Sequence, residues 1–250
     1  MEALLRCIMD IGEQMLVSGA EVHRVEESVS RMCRAFGVVR TDVFIITSSI
    51  VVTVYTAEGR SYTQTRRIVS SSSDFERLHA LNKLCRRICR ETMTEEKIKE
   101  ELESIAKCRT YPFWLECLCY AIIAAAFTIF FGGGFVEMAV SFAVGAIVRL
   151  GILLSDTILT NKIFSKFFSA ATATLCAFVA VKLGVVESVD KIIIGNIMSL
   201  IPGIGLTNAL RDLFIGDSIA GLLRSIEALL IALAIAAGYF LVAVIGGFAV

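Results

Sequence analysis

Residues 199–217, SLIPGIGLTNALRDLFIGD, set Thr207, Asn208, Arg211 and Asp212 between two long apolar stretches. A hydroxyl, an amide, a guanidinium and a carboxylate in so short a segment are groups that would hold a zwitterionic or anionic solute. If 207–213 is helical, Thr207 and Arg211 share one face at four-residue spacing, and Asn208 and Asp212 form the neighbouring stripe. Pro202 removes a backbone donor and Gly203 and Gly205 loosen the turn after it, so a break in the helix is expected here. A span broken in this way exposes helix ends whose partial charges suit such a solute. The competing account is plainer: the helix stops at Pro202 and the rest is a polar loop.

Arg149 lies inside an apolar stretch, where a charge costs several kcal/mol unless it finds water, headgroups or a partner. Asp156, seven residues on, shares its face but is about 10 Å away along the axis, too far for a direct pair. Arg149 is therefore expected either to meet a solute carboxylate or to snorkel toward headgroups. Asp212 and Asp156 are the candidates for carrying a coupling proton, since partial burial raises a carboxyl pKa. Glu137, after a triple glycine, is read as a gating or proton-accepting group or as a solvated helix end. Glu116 reads as a span-end charge, and Arg224 with Glu227 as an i,i+3 pair. His23 and Glu27 share a helix face, but one histidine among carboxylates is weak grounds for a metal, and His79 is remote in sequence. There is no HExxH, phosphate loop or nucleophile elbow. No catalytic residue, cofactor or bound metal is expected.

These side chains must be positioned by two kinds of chain. Of the 24 Lys+Arg and 24 Asp+Glu, residues 1–112 hold 17 and 16. The remaining 138 residues hold only 7 and 8, and read as membrane domain. The neutral balance argues against nucleic acid as a partner. No signal peptide is expected in the acidic start MEALLRCIMDIGEQ, and the eight cysteines read as free thiols of a reducing cytosol.

In the polar part, apolar spacing predicts helices at 3–17 and 20–36, and runs rich in Val, Ile, Thr and Tyr predict strands at 43–49, 50–57 and 61–68. A helix from an Asp74 N-cap to about Arg90 and another from Thr94 through Ile105 follow. The expected fold is thus a small α/β domain at 1–112 ahead of an α-helical polytopic bundle at 113–250. Spans are expected at 114–134, 138–156, 163–183, 190–208 and 222–248, each near the ~20 residues that cross ~30 Å of hydrocarbon. With the polar domain in the cytosol, Lys107, Arg109, Lys162, Lys166, Arg211 and Arg224 fall inside and Lys182 and Lys191 outside. That bias favours N-in, C-out in the cytoplasmic (inner) membrane. Small-residue runs such as IIAAA and AATAT favour oligomers.

Four stretches, SGAEVHRVEESVSRMCRAFGV (18–38), LHALNKLCRRI (78–88), YPFWLECLCYAIIAAAFTIFFGGGFVEMAVSFAVGAIVR (111–149) and SLIPGIGLTNALRDLFIGDSIAGLLRSIEALLIALAIAAG (199–238), resemble the threonine/serine exporter family, in its N-terminal-type subunit. The family pattern falls on Gly19, Ala20, Glu26 and Gly37, on Tyr111, Pro112, Gly132, Gly133 and Gly134, and on Pro202, Gly203, Asn208, Arg211, Asp212, Gly216, Asp217, Gly221 and Arg224. The resemblance implies a five-span bundle and export of a small charged or zwitterionic metabolite. It also implies a separately encoded membrane partner of four or five spans, since some members are fusions carrying that second unit. Split pairs are associated with dicarboxylates such as succinate, and fused members with threonine and serine. Some members' N-terminal regions have been likened to hydrolases; no triad is present here. The alternative function is a membrane-anchored structural or sensor protein whose cytosolic domain binds a ligand.

Overall fold

The structure is a computed structural model that describes residues 1–69, 72–91, 93–107, 111–158 and 161–247. Cys108, Arg109 and the end of the last predicted span at 248 fall outside them. The elements in chain order are α1 (Glu2–Val17), α2 (Val22–Ala35), β1 (Arg40–Ile46), β2 (Ser49–Tyr55), β3 (Ser61–Arg67), α3 (Phe75–Arg90) and α4 (Glu95–Ala106). There follow α5 (Phe113–Phe130), α6 (Phe135–Ile158), α7 (Lys162–Lys182), α8 (Val189–Met198), α9 (Gly203–Ile215) and α10 (Ser218–Ile245). They form two compact units, Met1–Arg109 with Leu206–Ser225, and Thr110–Gly205 with Ile226–Val250.

The first unit is a three-stranded antiparallel meander with helices packed on one face. β1 pairs with β2 (Val43 opposite Val52) and β2 with β3 (Thr53 opposite Thr63). The period-2 pattern of β2 buries Ile50, Val52 and Val54 against Ile8, Ile11 and Met15 of α1 and Val25, Val29 and Met32 of α2, in one core with Leu81, Leu84 and Ile88 of α3 and Ile98 of α4. Asp74 caps α3, its side chain accepting from the Arg77 N–H at 2.9 Å. Thr94 stands at the N-cap of α4 without a side-chain cap bond. Residues 206–225, which the sequence places in the membrane half, belong to this unit, and Ala220 joins its core.

In the second unit many large apolar side chains point outward. Phe130, Phe135, Leu154, Leu233 and Phe240 are all more than half exposed, the arrangement of a bundle solvated by hydrocarbon rather than water. α5, α6, α7 and α10 are each long and apolar enough to cross a membrane. The predicted span 190–208 is two helices, α8 and α9, bent by 55° at a short break, and they make a fifth crossing only if the pair is counted as one span. At 10 residues α8 reaches ~15 Å, half a bilayer core. Val144, Val148 and Ile152 of α6, Ala170 and Ala173 of α7, and Ile231 and Ile235 of α10 form the interior.

Candidate functional site

Ionisable groups gather in each unit. In the second, Arg149 of α6 is only 16% exposed and its Nε donates to Glu116 Oε2 of α5 at 2.9 Å, with a guanidinium nitrogen on the same oxygen. Its guanidinium carbon also lies 5.3 Å from the Phe113 ring centre and 5.9 Å from that of Tyr120, within cation–π range. Both rings come from α5. Arg149 thus has a protein carboxylate as partner, where the sequence left it to a solute or to headgroups. Hairpin symmetry contained the signal: Glu116 and Arg149 stand 17 and 16 residues from Gly133 in the α5–α6 turn, so antiparallel helices bring them to one depth.

Further along α6, Asp156 accepts from Ser165 Oγ of α7 at 2.9 Å. Lys166 of α7, read from sequence only as a flanking charge, is half-buried. Glu137 is elsewhere: its carboxylate accepts from the Gly134 N–H at 3.1 Å, capping the start of α6. That is a helix-capping role, set by a glutamate three residues into the helix.

A third group in this unit is neutral. Thr128 of α5, Ser141 of α6 and Asn196 of α8 are almost fully buried, with Thr128 Oγ1 2.6 Å from Ser141 Oγ and Asn196 Nδ2 donating to Ser141 Oγ at 3.3 Å. Gly195 makes that approach possible, because a Cβ there would stand 2.8 Å from the Ala124 carbonyl oxygen. A groove of about 590 Å³ between α6 and α7 is lined by Val136, Val140, Val144, Ile147, Leu175 and Val179 among others, a lining that suits hydrocarbon and not a polar solute.

In the first unit, α9 and the start of α10 face the N-terminal helices. Arg211 pairs with Glu21, the N-cap residue of α2. Arg224 lies 3.5 Å from Asp212 Oδ2 and donates to the Ala20 carbonyl at 3.0 Å, so its partner is Asp212 and not the expected Glu227. Asp212 is fully buried, and among the described residues neither of its oxygens finds a hydrogen-bond donor. Thr207 is exposed and Asn208 half-buried on the same helix. Pro202 precedes the first residue of α9, Gly203, and Gly205 lies in its first turn. Of the predicted solute contacts, Arg149 belongs to the second unit, and Thr207, Asn208 and Arg211 to the first. Burial, and after it the Asp217 carboxylate, push the Glu26 carboxyl upward, while its bond from the Ile45 N–H pulls the other way.

Comparison with known proteins agrees with the arrangement of apolar helices. Residues 6–246 match the family model described as "Putative threonine/serine exporter". Similar curated proteins include a "Probable threonine/serine exporter" of Mycobacterium tuberculosis, 27% identical over 91% of this chain and 43% of that protein. "Pheromone-regulated membrane protein 10" of Eremothecium gossypii is 23% identical over 97% of this chain and 33% of that protein. The "Probable succinate transporter subunit YjjP" of Escherichia coli is 26% identical, over 98% of this chain and 95% of its own length. The chain thus spans less than half the length of the first two. No solved structure matches.

Proposed function

Since the chain belongs to the threonine/serine exporter family, we propose that this multi-pass membrane protein is a subunit of a secondary exporter for a small carboxylate-bearing metabolite, either an amino acid of the threonine/serine kind or a dicarboxylate. The observation that carries this reading is the Arg149–Glu116 pair among apolar helices, with Asp156 hydrogen-bonded to Ser165 further along α6. Charges within spans are expensive and face a bundle interior or a water-filled path. A solute carboxylate would take Glu116's place on Arg149, whose planar fork suits bidentate binding. Asp156, hydrogen-bonded to Ser165, would then carry coupling. Thr207, Asn208, Arg211 and Asp212, beyond the Pro202 break, would form the inner gate, with Arg211–Glu21 and Arg224–Asp212 as its closed contacts. Glu137 has only the capping role in this scheme.

The N-terminal unit would lie in the cytosol, as the lysine and arginine bias favours, and 206–225 would share that side. The E. coli relative, which the chain matches almost end to end, is named a subunit, and that name favours a separate membrane partner. Flux of serine, threonine and succinate into proteoliposomes, with the partner co-produced, tests the reading. Arg149→Gln should lower the rate at least ~10-fold, an interaction of 1.4 kcal/mol or more, and Arg149→Lys should recover part of it. Parental flux in a folded Arg149→Gln protein would remove Arg149 from the path. Absence of flux for every solute with both subunits present would favour the anchored sensor instead.

A further inference from the structure

We propose that His23, Glu26 and Asp217 form a binding site for one divalent first-row transition-metal ion. The three residues come from segments some 190 positions apart, yet one ligand atom of each lies within 4.8 Å of the other two. His23 and Glu26 are three apart on α2, hence on one face. Asp217 is delivered by the turn between α9 and α10, where Gly216 adopts φ +104°, a conformation that favours glycine. The Asp217 N–H donates to the Asp212 carbonyl at 2.9 Å and its own carbonyl receives the Gly221 N–H at 2.9 Å, so both ends of the residue are fixed. These bonds fix the backbone from which the carboxylate projects.

Charge balance points the same way. Four carboxylates collect here: Glu21, Glu26, Asp212 and Asp217. Arg211 is paired with Glu21 and Arg224 with Asp212. Glu26 and Asp217 remain, and their charges act against each other. Asp217 Oδ2 is shielded from solvent and accepts no hydrogen bond from the described residues. A buried carboxylate oxygen without a donor is costly, and a divalent cation would satisfy it. Glu26 Oε1 accepts the Ile45 N–H at 3.1 Å, an outer contact that orients the other oxygen as a ligand.

The donor set, one imidazole nitrogen and two carboxylates, favours a transition ion over Mg²⁺ or Ca²⁺, which prefer all-oxygen shells. Ligands at ~2.0–2.2 Å from a shared ion stand no more than ~4.4 Å apart. Rotation of the exposed His23 ring closes a difference of that size. Three protein ligands leave the other positions to water. The site would tie α2 to the α9–α10 turn.

The test uses the full chain in detergent, stripped with chelator, and Mn²⁺ as the probe, because manganese has little affinity for the protein's thiols. Electron paramagnetic resonance counts bound ions, and the nitrogen modulation of the echo reports an imidazole ligand. One Mn²⁺ per chain with nitrogen coupling is expected. His23→Gln should abolish the coupling. Asp217→Asn and Glu26→Gln should each weaken binding at least ~10-fold. Glu26→Gln keeps the oxygen that accepts from Ile45, and circular dichroism confirms that each variant is folded. Absence of stoichiometric binding, binding without nitrogen coupling, binding unchanged in folded Asp217→Asn, or equal competition by Mg²⁺ would each overturn the site. None of these readouts uses flux, so the metal site and the transport reading can fail separately.

Discussion

Replacing Arg224 with leucine is expected to destabilise the first unit more than neutralising its partner does. Asp212 is fully buried and Arg224 is 15% exposed, and at 3.5 Å the pair interacts as two charges rather than through a hydrogen bond. Arg224→Leu leaves a buried carboxylate without its ion-pair partner, and removes the bond to the Ala20 carbonyl. Breaking one side of a buried pair costs about 3–5 kcal/mol. Asp212→Asn removes the charge while keeping the shape, and Arg224 retains Ala20 and some solvent, so about 1–2 kcal/mol is expected. In the double variant neither charge is orphaned, and its loss should fall short of the summed singles by about 2 kcal/mol. At about 2–4 °C per kcal/mol for a chain of this size, Arg224→Leu lowers Tm by roughly 6–20 °C. Thermal melts of the purified protein in detergent, followed by circular dichroism, measure all four corners of the cycle. Single-variant losses that simply add, or an Arg224→Leu melt within about 2 °C of the parent, would show that the pair does not stabilise the unit.

Glycine substitutions should separate crowded from open positions in the second unit. Gly195→Ala forces a Cβ onto Thr128 and the Ala124 carbonyl and should cost about 1–3 kcal/mol, whereas Gly151→Ala meets nothing within 4 Å and should be neutral or stabilising by melt. Thiol labelling should follow burial. Burial pushes Cys33 up to about 11 and Cys85 up to about 12, while Cys89 is exposed. Peptide mapping after brief maleimide treatment should therefore find Cys89 modified well before the other two, and equal rates would contradict the packing of α2 and α3. In sealed cells, an impermeant maleimide should reach Cys89 only after permeabilisation if the N-terminal unit is cytosolic, and labelling of intact cells would reverse the proposed orientation.

Periodicity carries local information, and local features were the ones legible in the sequence. The alternation in IVVTVY, the Asp74 cap and the apolar spacing of α1 and α2 each depend on neighbours a few positions away, and the strands and helices follow within a few residues. The interruption after Met198 was also readable, since proline and glycine act on their own turn. Pairings across long stretches of chain were not. Nothing in 199–217 says that Arg211 reaches Glu21 or that Arg224 reaches past Glu227 to Asp212. Asp217 reads as one more acidic residue after a glycine until the fold sets it beside His23 and Glu26. Glu116 is intermediate: its match to Arg149 follows from equal distances to the glycine turn, once α5 and α6 are taken as antiparallel neighbours.

The glycines of the second unit limit how its helices can move. At Gly145 a side chain would collide with the Tyr120 carbonyl, at Gly195 with that of Ala124, and at Gly238 with that of Phe167. Backbone touching backbone leaves no layer of adaptable side chains to absorb sliding. α5 is thereby keyed to α6 and α8, and α10 to α7. A rearrangement within this bundle therefore has to carry α5, α6 and α8 together.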